Sequence, residues 1–394
     1  KRIKKMGFTE NDIRGDFNLP DITVTNRDKL PVKTDKNQIN FKILISDEEV
    51  ALDRLNVWIN DVAIYGSGGI SLKEKNIREI TYDLSLDLAE GNNKIEFSAL
   101  NVNGAESYKS TVQIEKERTN KRPNLYVASI GISKHEDSRY DLSYADKDAK
   151  DIVSTFQKDN YFKEIHAVTL TNEEVVIDNL QQLRTFLEQA EIDDVVLVFI
   201  AGHGVLNAEF DYFFATHDMD FDAPEKRGVP YESIEKLLDG IKALKKMLFM
   251  DTCHSGELDK DEIEEDTDKE EQGELIFRNV GKSVKLKDNP LGLNNTNNLM
   301  KSLFTDLRKG TGATVISSSG GTELSIEGNN FNNGLFTYCL LNGLTTGDAD
   351  LNNDKEIYIS ELQTYVQTQV NLLSNGLQTP TSRIQNKELD YRIW

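Results

Sequence analysis

The sequence predicts a two-part chain: an N-terminal all-β sandwich, then an α/β domain built on a mostly parallel sheet flanked by helices. Two observations carry this. Between residues 37 and 116 apolar side chains alternate with polar ones at period two, as strands with one buried face require. Beyond Pro123, short apolar runs alternate with amphipathic segments, as strands joined by crossover helices require. A chain of 394 residues with 38% hydrophobic content is long enough for more than one core.

Residues 1–36 show no sustained periodicity and are read as a linker or partly ordered arm. The opening at Lys1 rather than Met, with no charged-then-apolar leader, reads as the start of a fragment. Strands follow: Ile39/Phe41/Ile43/Ile45, Leu55/Val57/Ile59, Ile80 to Leu88, Ile95/Phe97/Ala99 and Tyr108 to Ile114. Gly91-Asn92-Asn93 and Asn103-Gly104 supply turn chemistry between them. Together they form a sandwich over residues 37–116, resembling an immunoglobulin-like domain in architecture without that family's cysteine pair. Its expected role is to space and position its neighbour.

After the charged linker Glu115 to Arg122, strands are expected at Leu125–Ile132, Ile165–Leu170, Val195–Ile200, Lys246–Asp251 and Thr314–Ser317. Helices are expected at Ala145–Phe156, Ile177–Ala190, Ser233–Ala243, Phe336–Leu344 and Ser360–Leu373. The α/β domain so defined runs from residue 123 to 394. In such sheets functional side chains gather just beyond the carboxyl ends of the strands.

Composition narrows the partners. A net charge of −21 opposes nucleic acid and anionic membranes, so neither is expected. Nearly half of that charge lies in residues 257–274, where eleven acidic and two basic residues form an insert expected to be solvated and open to proteolysis. No apolar run approaches the roughly 18 residues of a membrane span. Two cysteines in so long a chain argue for a reducing, cytoplasmic setting and against a disulfide framework.

Two segments concentrate reactive side chains: Val195 to Ala201 running into Gly202-His203-Gly204, and Lys246 to Asp251 running into Thr252-Cys253-His254-Ser255-Gly256. Each is an apolar strand expected to end in a small-residue turn, which would bring an imidazole and a thiol to one edge of the sheet. A thiol beside an imidazole supports nucleophilic acyl transfer, with Cys253 attacking and His203 moving the proton. His254 is a rival base, weakened by its place next to the thiol in sequence. Cys339, within an apolar run, reads as a core residue. His135, His166 and His217 carry no supporting motif, and the histidine and cysteine spacing is not that of a zinc site.

The order of His203 and Cys253, 50 residues apart, resembles that of the caspase-fold cysteine peptidases, and Asp251-Thr-Cys253-His254-Ser255-Gly256 is most similar to metacaspases and bacterial caspase homologues. Leu142-Ser-Tyr-Ala-Asp-Lys-Asp148-Ala resembles the first helix of the large-subunit region. Val315 to Ser325, followed by Gly334-Leu-Phe-Thr-Tyr, resembles the small-subunit region. The resemblance implies a Cys–His dyad needing no cofactor, and an oxyanion hole from the backbone amides of Gly204 and Cys253. It also implies a P1 pocket for Arg or Lys lined by Asp251 and Asp148, with Asp146 as the competitor of Asp148 and Ser318 as a further substrate contact. Ala201 stands where metacaspases often carry serine. The expected partner is a protein or peptide substrate, with a regulatory protein or upstream domain, and the basic residues between Cys253 and Thr314, Lys260, Lys269, Arg278, Lys282, Lys285 and Lys287, offer points of self-cleavage. A catalytically silent scaffold with the same fold is the alternative.

One motif lies outside that scheme. Asp350, Asn352, Asp354, Glu356 and Glu361 occupy calcium-loop spacing, although Lys355 replaces the loop's glycine. The competing interpretation is a polar turn into a short strand, with Ser360 capping the last helix.

Overall fold

The computed structural model describes residues 18–119, 121–207, 211–255, 275–277, 311–318, 325–328, 330–383 and 390–394. The acidic insert at 257–274 lies outside the described residues, as does Lys1 to residue 17. The chain divides into two compact units, Lys1–Thr119 and Asn120–Trp394.

The first unit is all β. Its strands are β1 (Asp21–Val24), β2 (Lys33–Thr34), β3 (Gln38–Ser46), β4 (Leu52–Ile59), β5 (Val62–Ala63), β6 (Ile70–Ser71), β7 (Glu79–Asp87), β8 (Gly91–Asn101) and β9 (Ser110–Lys116). One sheet runs β1-β3-β7 and the other β2-β9-β8-β4-β5, with β6 on β4. In β3 the odd-numbered Ile39, Phe41, Ile43 and Ile45 are buried while their neighbours face out, as period two requires. Phe41 meets Phe97 of the other sheet with ring centroids 5.2 Å apart, so the two apolar faces share one core. Pairing starts earlier than alternation alone indicates: β1 and β2 lie inside the span read as an arm, because two to four residues are too few to show a period. The turn read at Gly91-Asn92-Asn93 is instead the start of β8. Asn93 is buried there, and its side chain accepts from the Ala89 amide at 2.8 Å and donates to the Ala89 carbonyl at 2.8 Å.

The second unit is α/β. It contains β10 (Leu125–Gly131), α1 (Ala145–Phe156), β11 (Ile165–Thr171), α2 (Ile177–Leu187), β12 (Val195–Leu206), β13 (Tyr212–Phe214), β14 (Val229–Pro230), α3 (Tyr231–Leu238) and β15 (Lys245–Ser255). Then come β16 (Leu275–Phe277), β17 (Thr314–Ser317), β18 (Ile326–Gly328), β19 (Asn333–Gly334), α4 (Leu335–Thr346), α5 (Ile359–Leu373) and β20 (Thr381–Arg383). The central sheet has the order β11-β10-β12-β15-β17-β20, parallel except for β20. Alternate residues of β10 feed opposite cores: Leu125 and Val127 join α1, α4 and α5 on one face, whereas Tyr126, Ala128 and Ile130 join α2 and α3 on the other. Each fully buried aliphatic side chain contributes roughly 1.5–3 kcal/mol relative to exposure, which is why the strands with two covered faces are the most continuously apolar. Among the described residues, no helix is long and apolar enough to cross a membrane.

One difference positions the site. The Gly202–Gly204 and Thr252–Ser255 segments are not turns beyond the strands; they continue β12 and β15 in unbroken parallel register, with His203 opposite Cys253 and Gly204 opposite His254. The antiparallel β13, with Phe214 opposite Gly204, braces that extension from the side. Gly202 makes it feasible: its φ of +153° is one that other residues rarely adopt, and a Cβ there would stand 3.1 Å from the Phe214 ring.

Candidate active site

The backbone of β15 carries Cys253 directly across from His203, so strand pairing alone holds the two positions side by side. The imidazole is almost wholly buried, at 1% exposure. Its Nε2 lies 2.9 Å from the carbonyl oxygen of Tyr140. A carbonyl only accepts, so Nε2 carries the ring hydrogen and Nδ1 carries the basic lone pair. Tyr140 ends a one-turn 3-10 helix, Ser138–Tyr140, begun by Asp137, whose side chain accepts from the Arg139 amide.

The loop between β10 and α1 that bears Tyr140 is held on several sides. Asp141 accepts from the His135 amide at 3.0 Å and from Lys134 Nζ at 3.0 Å, and the Leu142 amide donates to the Ser133 carbonyl. Phe221 stacks on Tyr140 with centroids 3.7 Å apart and stands edge-on to His203 at 5.9 Å. His135, which no sequence motif marked, sits 5.5 Å from His203 in the same aromatic group. Burial pushes its imidazole down to about 4, against the weaker opposing pull of its contact with the Thr216 carbonyl. The signal available was its place just beyond the carboxyl end of β10, the rule that located the other two residues. His217 donates from Nδ1 to the Lys134 carbonyl, and His166 stacks on Tyr126 away from this group.

The two carboxylates expected in the P1 pocket are both fully buried and both reach the first turn of α4. Asp251 accepts from Thr337 Oγ1 at 2.7 Å. Asp148, on α1, accepts from Asn333 Nδ2 at 2.9 Å and from the Gly334 amide at 3.1 and 3.2 Å. These are charge-assisted bonds to a helix N-terminus, where negative charge is favoured. Asp148 is therefore not a solvated helix residue. Asp146 is different: it pairs with Lys150 at 2.8 Å on the surface of α1, and although burial raises its carboxyl, contacts with Lys150 and Ser133 hold it below the usual range. Ser318 is buried and donates to the Thr252 carbonyl at 3.2 Å, one residue before Cys253, while its Oγ lies 2.6 Å from Ser325 Oγ.

Cys339, buried in α4, has its thiol pushed up to about 12 by burial and then by the nearby Asp251 charge, as an inert core residue would. At the calcium-spaced loop, Asp350 accepts from the Asp354 and Lys355 amides, Asn352 from Asp354, and Glu361 from Asn352 and Tyr358. Lys355 adopts φ +70°, the left-handed conformation for which such loops use glycine. Among the described residues, no group of three or more His, Cys, Asp or Glu converges in a way that could hold a metal ion.

A parallel sheet that delivers a buried imidazole beside a cysteine, with the imidazole oriented by a loop carbonyl, defines the class as that of the caspase-like α/β proteins. The chain belongs to the caspase-domain family, whose model matches residues 127–389, more than half of the sequence. Among solved structures it is similar to protein GSU0716 from Geobacter sulfurreducens, at 16% identity and a TM-score of 0.44, covering 68% of this chain and 96% of that one. It is also similar to the fibronectin(III)-like modules of CbhA from Clostridium thermocellum, at 18% identity and a TM-score of 0.19, covering 26% of this chain and 49% of that one. None of the curated proteins matches it.

Proposed function

We propose that this chain is a cysteine endopeptidase that cuts protein substrates after Arg or Lys, with Cys253 as nucleophile and His203 as general base, then acid. The register that pairs His203 with Cys253, together with the Tyr140 contact at His203 Nε2, carries this reading. With Nε2 tied to a carbonyl, Nδ1 is left as the nitrogen that takes the thiol proton and later gives it to the departing amine. The oxyanion donors expected at Gly204 and Cys253 belong to the same reading. Asp251 and Asp148 bring two buried carboxylates to one helix turn, which favours a cationic P1 side chain over an acidic one.

The test uses fluorogenic peptides that differ only at P1. Arg and Lys peptides are expected to turn over and Asp peptides to fail, with Cys253→Ala and His203→Ala each inactive. A wild-type chain that cuts after Asp and ignores Arg would remove the pocket assignment. Undiminished hydrolysis by Cys253→Ala would remove the nucleophile.

A further inference from the structure

His135 lies just past β10 and takes no part in the proton transfers proposed above. It is 6% exposed, and its ring stands 5.5 Å from that of His203 and edge-on to Phe221 at 5.2 Å. Nδ1 lies 3.2 Å from the Thr216 carbonyl oxygen, so Nδ1 carries the ring hydrogen and Nε2 the lone pair. Among the described residues that lone pair meets no hydrogen-bond partner. Buried polar atoms are ordinarily paired, and phenylalanine would fill the same aromatic place with no orphaned nitrogen. A histidine kept here therefore needs a reason.

Its two hydrogen bonds supply that reason. The His135 amide donates to Asp141 at 3.0 Å, and Asp141 follows Tyr140, whose carbonyl holds His203 Nε2. The His135 ring donates to Thr216, which follows Ala215, whose amide donates to the His203 carbonyl at 2.9 Å. Thr216 is itself fixed, with Oγ1 2.9 Å from Asp218 Oδ1 and 2.8 Å from the Arg227 carbonyl oxygen. His135 thus ties together the two segments that grip His203: the loop that holds its ring and the strand end that holds its backbone. We infer that His135 is a positioning residue for the general base, acting through its Nδ1–H bond to Thr216. This rests on the peptidase reading above and adds to it the tie that keeps the imidazole aligned. Neutrality matters as well as the bond. Burial pushes the His135 imidazole down to about 4, against the Thr216 contact and the Asp141 and Asp137 charges, with His217 adding to the fall. A neutral ring does not repel the imidazolium that forms at His203 during turnover, whereas a lysine or arginine donating the same bond would set a like charge beside it.

The experiment compares the full chain with His135→Asn, His135→Gln and His135→Phe. An asparagine amide falls near the place of Nδ1, a glutamine amide near that of Nε2, and phenylalanine keeps a ring without a donor. Both kcat and KM are measured on an Arg aminocoumarin peptide, and the ring nitrogens of His203 are followed by nitrogen NMR, which needs no turnover. His135→Phe and His135→Gln should each lower kcat by about ten- to a hundredfold, with KM changed less than about threefold, and should blur the Nε2–H tautomer of His203 into an average of both forms. His135→Asn should stay within about threefold of wild type and keep that tautomer. Wild-type kcat in His135→Phe would overturn the inference. So would a rise in KM alone, which would make His135 a substrate contact, or rescue by Gln where Asn fails, which would make Nε2 the working atom. A wild-type chain inactive toward the peptide would sink the peptidase reading and leave the NMR to decide whether His135 aligns the ring: an unchanged His203 tautomer in His135→Phe would overturn that too. If His135→Phe does not fold, the contrast between Asn and Gln decides.

Discussion

The carbonyl oxygen of Tyr140 sits 2.9 Å from Nε2 of His203, so a backbone atom, not an acidic side chain, orients the imidazole. That atom cannot be removed by substitution, but its placement can be loosened. Phe221 stacks on the Tyr140 ring and also touches the edge of His203. Truncating it leaves both groups in place with one wall missing.

Phe221→Ala is therefore expected to lower kcat by about ten- to a hundredfold, the scale of a misplacement near 1 Å, with a smaller change in KM. Steady-state kinetics on an Arg peptide check this. A rise in KM at constant kcat would mean that Phe221 contacts substrate instead of supporting the imidazole.

Asp148 has a role in the fold that can be measured apart from any role in the pocket. It accepts from the Gly334 amide and from Asn333, both at the start of α4. Hydrogen bonds to a charged group contribute roughly 1.5–3 kcal/mol each, and the donors left behind by truncation are buried. Asp148→Ala should destabilise the chain by about 3 kcal/mol in denaturant titration, while Asp148→Asn, which keeps an acceptor, should lose less. Equal losses would show that the charge alone matters at this position.

The two cysteines should differ sharply in chemistry. Burial raises the Cys339 thiol to about 12, so at neutral pH almost none of it is thiolate. Brief treatment of the native chain with iodoacetamide should leave Cys339 unlabelled, and Cys339→Ala should keep peptide turnover. Peptide mapping showing rapid labelling at Cys339 would contradict its burial.

Much of this architecture is legible in the sequence because burial imposes a period. Ala145–Phe156 and Thr314–Ser317 have the bounds that their apolar spacing indicates, and the α4 and α5 bounds differ by only one or two residues. The third helix is less clear: the expected Ser233–Ala243 is Tyr231–Leu238, because Ile241 and Ala243 are buried by the connection into β15 and mimic a further helical turn. The strand-end rule singles out His203 and Cys253, yet it does not foresee that both strands extend through them, because glycine beside histidine reads locally as a turn. The β13 brace that makes the extension stable comes from residues 212–214, too short a run to show a period. His135 and the Tyr140 carbonyl were missed for a related reason: one has no motif around it, and the other is a backbone atom that any residue would supply.

Lys246 offers a test of the fold through pH. It opens the apolar part of β15, and its ammonium is fully buried against the carbonyls of Ile241 at 3.0 Å and Leu238 at 3.3 Å, at the end of α3. Burial pushes its amine down from 10.5 to about 7, outweighing the opposing charge of Asp239. Between these two values the unfolded chain binds more protons at this site than the folded one, so folding grows more favourable as pH rises through that window. The contribution is complete above 10.5 and is lost as pH falls through about 7. Other groups also titrate there, so the informative quantity is the difference in unfolding free energy between wild type and Lys246→Met. That difference should shift toward wild type by up to about 1.4 kcal/mol per pH unit between pH 7.5 and 10. A difference that stays constant across the range would show that the ammonium remains charged, held by the helix-end carbonyls strongly enough to offset its desolvation.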